Sequence, residues 1–120
     1  MSVAPLPRRG SIVLVGFDPA VGSEAAKVRP AVVVSNNVAT ATALRTGGVI
    51  TVVPITSNIT RVHPFQTLLP ADRTGLPRDS KAQSEQVRSV SVARVYAIAG
   101  WVPSELMADV DESLRLHLAL

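Results

Sequence analysis

The sequence predicts a mainly β protein, in which a small, strongly twisted antiparallel sheet or partly open barrel precedes one C-terminal helix. Short runs rich in Val and Ile alternate with segments that contain Gly, Pro and charged residues. Apolar residues recur at helical spacing over several turns near the end of the chain. A chain of 120 residues suits one domain, so we expect a single domain over 1–120 with a flexible tail at 1–8.

Five or six segments have the composition of strands, since β-branched and aliphatic residues dominate them and turn signals lie between them. The predicted strands are residues 11–17, 30–35, 49–55, 65–69, 81–87 and 96–102. Residues 18–29 and 70–79 mix Pro, Gly and charge, which indicates exposed loops. A short helix or turn is predicted from Asn36 and Asn37 through Ala41, because Asn is a favoured helix N-cap.

The terminal helix is predicted over residues 104–118, directly after Pro103, which is tolerated at a helix start. Its apolar positions form one stripe: Leu106, Met107, Val110, Leu114 and Leu118. Its acidic residues form an outward face and concentrate toward the N-terminal half, where the helix dipole favours them. They are Glu105, Asp109, Asp111 and Glu112.

Composition excludes several functional classes. The chain has no cysteine, which rules out disulfide scaffolds, thiolate zinc sites and cysteine nucleophiles and permits a reducing cytoplasm. The apolar runs are too short to span a bilayer, so we expect a cytoplasmic protein without membrane contact. The two histidines lie far apart and no phosphate-binding glycine loop occurs, so we expect no metal and no other cofactor.

The charge distribution is asymmetric along the chain. Residues 1–102 carry eleven Lys or Arg against five Asp or Glu, whereas the remaining segment has a net charge of −3. A basic body with an acidic end suits a protein whose body meets a polyanion, although many basic domains bind no nucleic acid.

A series of short motifs carries a family resemblance. The chain contains RGSIV from residue 9, VGSE from 21, VRPAVVVSN from 28, VPITSN from 53, TGLP from 74, DSKA from 79 and EQVR from 85. In their order and spacing these motifs resemble the MazF/PemK toxins over nearly the whole chain from Arg8 onward. Ser11 departs from the family pattern, which commonly has aspartate after Arg-Gly. The resemblance implies a homodimer and a CcdB/MazF-like fold with an SH3-like, partly open barrel.

The resemblance also implies an activity. Members of this family are sequence-specific, metal-independent endoribonucleases that cut single-stranded RNA, and a cognate antitoxin neutralises them. A ribose 2′-hydroxyl attacks the adjacent phosphodiester, which leaves a 2′,3′-cyclic phosphate and a 5′-hydroxyl. We therefore expect messenger RNA as the substrate, with ribosomal or transfer RNA as alternatives. The expected partner is a MazE-type antitoxin whose acidic, largely disordered tail competes with RNA for the basic groove.

By the resemblance, Arg29, Thr56 and Glu24 are the candidate catalytic residues. The guanidinium of Arg29 suits two phosphate oxygens, whereas the alternative is an ordinary ion pair beside a proline. The Thr56 hydroxyl would bond the scissile phosphate or orient the 2′-hydroxyl, whereas the alternative is simple turn chemistry after a strand. Glu24 would orient Arg29 or accept a proton, whereas the alternative is a solvated loop acid.

The candidate RNA-binding residues are polar and basic. Gln86 and Arg88 lie at the end of the fifth predicted strand, where alternation sends them to the same face, and they would contact phosphate or bases or pair within the sheet. His63 would stack on a base or a ribose, and the alternative is a turn histidine without a role. The remaining candidates are Lys27, Ser57, Asn58, Arg61 and Arg78.

Two other functions compete with RNA cleavage. A CcdB-like, non-catalytic poison of a topoisomerase such as gyrase would use the same fold, would not need Arg29 and Thr56, and would grip its target with the C-terminal segment. A barrel that binds nucleic acid without cutting it would show salt-sensitive binding and leave RNA intact.

Overall fold

A computed structural model describes residues 6–17 and 27–120, within which the chain forms seven strands and three α-helices. The strands are β1 (Ser11–Gly16), β2 (Val28–Val33), β3 (Val49–Thr56), β4 (Gln66–Leu69), β5 (Ser80–Gln83), β6 (Arg88–Ser91) and β7 (Val95–Trp101). The helices are α1 (Asn37–Thr46), α2 (Ala71–Thr74) and α3 (Ser104–Leu118), and two 3₁₀ turns span Ser84–Gln86 and Val92–Arg94.

The strands form one antiparallel sheet in the order β4-β5-β3-β2-β1-β7, and β6 pairs with β3 beside β5. Val52 of β3 pairs with Val33 of β2 and with Arg88 of β6, so β2 and β6 lie on opposite edges of β3. The sheet is not closed into a barrel. The predicted class, a mainly β protein with a C-terminal helix and a partly open sheet, is confirmed.

Side-chain alternation along the strands builds two apolar clusters, one on each face of the sheet. On the first face, Ile12, Val32 and Val53 pack with Met107 and Val110 of α3. On the second face the cluster comprises Val13, Val15, Phe17, Ala31, Val33, Ile50, Val52 and Val90, to which α1 adds Ala43. Since α1 contributes to the Val33 and Val52 end of the second face, the other end of these strands is free to carry polar side chains.

The helix start predicted at Asn36 is correct, and its side chain accepts a hydrogen bond from the amide of Ala39 at 2.8 Å. The predicted end at Ala41 is too early. The helix continues to Thr46 because Ala43 packs into the second apolar cluster, and it stops at Gly47, whose φ of 81° suits glycine.

The strand predicted over residues 81–87 is too long. β5 ends at Gln83, the 3₁₀ turn Ser84–Gln86 follows, and β6 begins at Arg88, so Gln86 and Arg88 do not share a strand. Thr56 pairs with Lys81, and Val52 pairs with Arg88. The segment from Lys81 to Arg88 therefore has three more residues than the stretch of β3 that it runs along. The turn accommodates the extra residues, as a bulge does.

The loops predicted at 70–79 and 18–29 also need correction. Residues 71–74 form α2, and Val28 and Arg29 already belong to β2. Residues 18–26 lie outside the described part of the chain.

α2 lies close to β7. The carbonyl oxygen of Thr74 is so near Gly100 that a Cβ added to Gly100 would lie 2.2 Å from this oxygen.

Within the described part of the chain, no helix is long and apolar enough to cross a bilayer.

Candidate active site

Arg29 and Thr56 occupy one face of the sheet on neighbouring strands. Ala31 of β2 and Pro54 of β3 pair with each other. Arg29 lies two residues before Ala31, and Thr56 lies two residues after Pro54, so each points to the same face as its neighbour. Ala31 belongs to the apolar cluster that α1 joins, so both polar residues continue that face beyond the cluster. The same register, extended by two residues, brings Arg29 level with Thr56.

A first pocket of about 320 Å³ contains both residues. It is lined by Arg29, Pro30, Ile55, Thr56, Ser57, Leu76, Pro77, Arg78 and Ser80. Arg29 is exposed and Thr56 is half-buried, so a solute in this pocket can reach a guanidinium and a hydroxyl together. Of the predicted site residues, the fold therefore brings Arg29, Thr56, Ser57 and Arg78 to one place.

A second pocket of about 300 Å³ adjoins the first, because Arg29 lines both. Its lining residues are Phe17, Arg29, Pro54, Gln83, Gln86 and Arg88. The guanidinium carbon of Arg88 lies 5.2 Å from the centre of the Phe17 ring, a cation–π contact that holds Arg88 at the pocket. Gln86 and Arg88 thus converge on one pocket, although they come from a 3₁₀ turn and the strand that follows it.

The Thr56 hydroxyl takes part in a turn and stays available as a donor. Its oxygen accepts the amide hydrogen of Asn58 at 3.2 Å, and the side-chain oxygen of Asn58 accepts the amide hydrogen of Thr60 at 3.2 Å. The turn chemistry weighed for this segment is present. Because Thr56 only accepts in that turn, its own hydrogen can be donated to a bound oxyanion.

The two pockets carry positive charge. Arg29, Arg78 and Arg88 line them, and no Asp or Glu is among the described residues that line either pocket. The three ion pairs of the described chain use other arginines, namely Arg9, Arg73 and Arg115. Guanidinium groups without carboxylate partners suit phosphate oxygens. Residues 6–17 and 27–120 contain no group of three or more His, Asp or Glu placed to hold a metal ion.

The remaining predicted residues lie outside the linings of these pockets. Lys27 is exposed just before β2, and Asn58 is exposed in its turn. The backbone oxygen of Arg61 accepts a hydrogen bond from Lys81. The ring of His63 stacks on Phe65 with centroids 5.0 Å apart, and its amide donates to Gln66. Glu24 lies outside the described residues.

Sequence reasoning missed Phe17, Pro54 and Gln83 in the second pocket and Ser80 at the first. It also missed Lys81, which pairs with Thr56 across β3 and β5. Phe17 was detectable as the last residue of a predicted strand. Pro54 lies within the VPITSN motif on β3, two residues before Thr56. Ser80, Lys81 and Gln83 reach the site through the register of β5 against β3, which no local pattern specifies.

The fold and these two pockets define a small protein with a mainly β fold and a candidate anion-binding site lined by arginines. Residues 8–118 match the family model described as a PemK-like, MazF-like toxin of type II toxin-antitoxin systems, and the chain belongs to that family. It is 58% identical to endoribonuclease MazF9 of Mycobacterium tuberculosis over 94% of this chain and 97% of the relative. It is 32% identical to endoribonuclease EndoA of Bacillus subtilis over 94% and 95%.

Solved structures agree with the sequence relatives. The chain in a MazE–MazF crystal structure from Deinococcus radiodurans superposes with a TM-score of 0.75 and 26% identity, covering 97% of this chain and 99% of that one. The expected family is confirmed. Because the curated relatives are endoribonucleases, RNA cleavage is favoured over the topoisomerase-poison alternative.

Proposed function

We propose that this protein cuts single-stranded RNA at a specific sequence without a metal ion, leaving a 2′,3′-cyclic phosphate and a 5′-hydroxyl. The observation that carries the proposal is the shared pocket of Arg29 and Thr56, lined by a second guanidinium and, among the described residues, by no carboxylate. The substrate supplies its own nucleophile in this reaction. The protein then has to align the attack and stabilise the charge that develops on phosphorus-bound oxygens.

Arg29 is the principal catalytic residue of this proposal. It is exposed at the junction of both pockets, so a phosphate placed there meets its planar fork from an accessible side. Two of its N–H groups can bond the two non-bridging oxygens as negative charge increases on them. We assign Arg29 an electrostatic role in preference to that of an acid or a base, because its planar fork of donors fits both oxygens at once.

Thr56 supplies a neutral donor beside that charge. Its hydroxyl oxygen accepts the Asn58 amide hydrogen, and its own O–H can be donated within the pocket shared with Arg29. A fixed donor contributes most in the transition state, because no reorganisation is needed when the charge develops. Glu24 is proposed to accept the 2′-hydroxyl proton or to orient Arg29, and Ser57 to assist at the same phosphate.

The neighbouring pocket is proposed to hold the next part of the strand. Arg88 would bind a flanking phosphate, and Gln86 would bond a base edge beside Phe17. Arg78 lies at the other side of Arg29 and would contact the backbone there. Lys27, Asn58, Arg61 and His63 are proposed to contact the RNA beyond the two pockets.

The proposed partners are a second copy of the chain and a MazE-type antitoxin. β7 is an edge strand of the sheet that presents exposed Tyr96, Ile98 and Trp101, which supports self-association through an apolar surface. The MazE–MazF complex among the related structures supports an antitoxin partner. The expected substrate in cells is messenger RNA in the cytoplasm, with ribosomal and transfer RNA as alternatives.

The proposal is tested by incubating the purified protein with long single-stranded RNA in EDTA and mapping the ends. We expect discrete cuts with 5′-hydroxyl ends, and strongly reduced cleavage over the same incubation time with Arg29→Ala. Intact RNA over several varied transcripts would contradict the proposal, and inhibition of gyrase by the same preparation would support the topoisomerase-poison alternative.

A further inference from the structure

Lys81 is a buried lysine next to the proposed site that the catalytic scheme does not use. Only 9% of its surface is exposed. It lies on β5 directly opposite Thr56 of β3, and directly paired residues point to the same face of a sheet. Its neighbour Ala82 pairs with Ile55 and belongs to the apolar cluster on the opposite face, which is consistent with this assignment.

The ammonium of Lys81 is tied to the loop that follows Thr56. Its Nζ donates to the backbone oxygen of Arg61 at 2.5 Å. No carboxylate of the described chain lies within ion-pair distance of it. A buried cation is costly unless it is well hydrogen-bonded, so a lysine at this position needs a role that an apolar side chain would not fill.

Three successive bonds fix residues 57–61, which we name the Thr56 loop. The Thr56 hydroxyl holds the amide of Asn58, the Asn58 side chain holds the amide of Thr60, and Lys81 holds the carbonyl of Arg61. The first two bonds are local turn bonds that travel with the loop. The Lys81 bond is the one of the three that anchors the loop to another strand.

We propose that Lys81 is a positioning residue that anchors the Thr56 loop to β5 and thereby sets the sequence discrimination of the site. This inference rests on the proposed function, because it assigns Ser57, Asn58 and Arg61 to RNA reading. If the anchor is lost, the loop no longer holds those side chains in fixed positions against the RNA. Small displacements of positioning groups reduce rates substantially.

The experiment uses the full-length protein, the preferred RNA motif of the wild type and RNAs that differ from it at one base. We expect Lys81→Met to lower kcat/KM on the preferred RNA by about 10- to 100-fold. The kcat/KM on RNAs that differ at one base should fall by a smaller factor, so the ratio between preferred and altered RNA decreases. Lys81→Arg should keep most of the wild-type ratio, because a guanidinium can donate to the same carbonyl.

Two readouts separate anchoring from direct contact with RNA. Amide hydrogen exchange at Asn58 and Thr60 should accelerate in Lys81→Met while exchange in β1 and β2 stays slow. The salt dependence of binding to a non-cleavable RNA should keep the wild-type slope, since Lys81 makes no phosphate contact. Arg45→Met, which removes one charge from the exposed end of α1, is the matched control and should change none of these.

The inference is overturned by either of two results. Equal losses on all RNAs with a salt slope shallower by about one unit would make Lys81 a phosphate contact. Unchanged discrimination and unchanged exchange would show that the anchor has no effect. If Lys81→Met does not fold, Lys81→Leu, which also lacks a hydrogen-bond donor, replaces it with the same outcomes. If wild-type protein leaves RNA intact, the proposed function fails, and the exchange measurement still tests the anchor.

Discussion

Arg29 and Thr56 lie on neighbouring strands and line one pocket. Both residues belong to the face of the sheet that packs against α1 at its opposite end. The pairing of Ala31 with Pro54 sets this relationship, because it fixes the register of β2 against β3. The backbone positions that carry a guanidinium and a hydroxyl are thereby fixed on neighbouring strands. Groups held in place before the substrate arrives stabilise developing charge without a further reorganisation cost.

Replacing Arg29 should separate charge from geometry. Arg29→Ala is expected to reduce the single-turnover cleavage rate by about 10²–10³-fold, as loss of a transition-state donor does. Arg29→Lys should recover only part of that loss, since an ammonium cannot bond two oxygens with a planar fork. The rates are measured at saturating protein on one RNA. Full activity of Arg29→Lys would show that a point charge is enough.

Thr56 should depend on its hydroxyl and not on its methyl group. Thr56→Ser keeps the oxygen that accepts the Asn58 amide and the hydrogen that it donates, so we expect activity within a few-fold of wild type. Thr56→Val matches the shape but loses both bonds, and its rate should fall by about 100-fold. Equal activity of the two variants would contradict a role for the hydroxyl.

Arg88 should contribute to binding more than to the chemical step. Arg88→Met is expected to weaken binding of a non-cleavable RNA and to lower the slope of log Kd against log salt by about one unit. The rate at saturating RNA should change little, because Arg88 lines the second pocket, which is proposed to hold a flanking phosphate and not the scissile one. A loss confined to that rate would place Arg88 in catalysis instead.

Gly100 should be intolerant of a side chain for reasons of packing. A Cβ at this position would lie 2.2 Å from the carbonyl oxygen of Thr74, so Gly100→Ala must displace α2 from β7. We expect a loss of about 1–3 kcal/mol in the free energy of unfolding, measured by urea titration. Gly48→Ala is the control, because its nearest contact would be 3.5 Å. Equal stability of both variants would contradict this packing.

Much of the fold was predictable from local sequence signals. The first three strands, the start of α1 at Asn36 and the terminal helix follow from β-branched runs, a capping residue and apolar spacing. The interruption between Gln83 and Arg88 was not predictable. It arises because the segment from Lys81 to Arg88 has more residues than the part of β3 that it pairs with. Residues 81–87 contain no Gly or Pro that would mark the break.

The candidate site residues came from family motifs and not from geometry, and their roles stay predictions. Arg29, Thr56, Ser57 and Arg78 line one pocket, although Arg29 lies in β2 and not in a loop. Phe17 and Gln83 enter the second pocket through pairing partners that lie far away in sequence. Lys81 was overlooked because a lone lysine in a strand reads as solvated, whereas the register places it opposite Thr56.

In the proposed reaction the substrate's own 2′-hydroxyl is the nucleophile, and Arg29 and Thr56 stabilise the resulting charge. This is tested with a short RNA that carries the mapped motif and a single 2′-deoxy nucleotide at the cleavage position. We expect no detectable cleavage of this oligonucleotide, and wild-type cleavage when the deoxy nucleotide is moved outside the motif. Cleavage at the substituted position would show that another nucleophile is at work and would rule out this reaction.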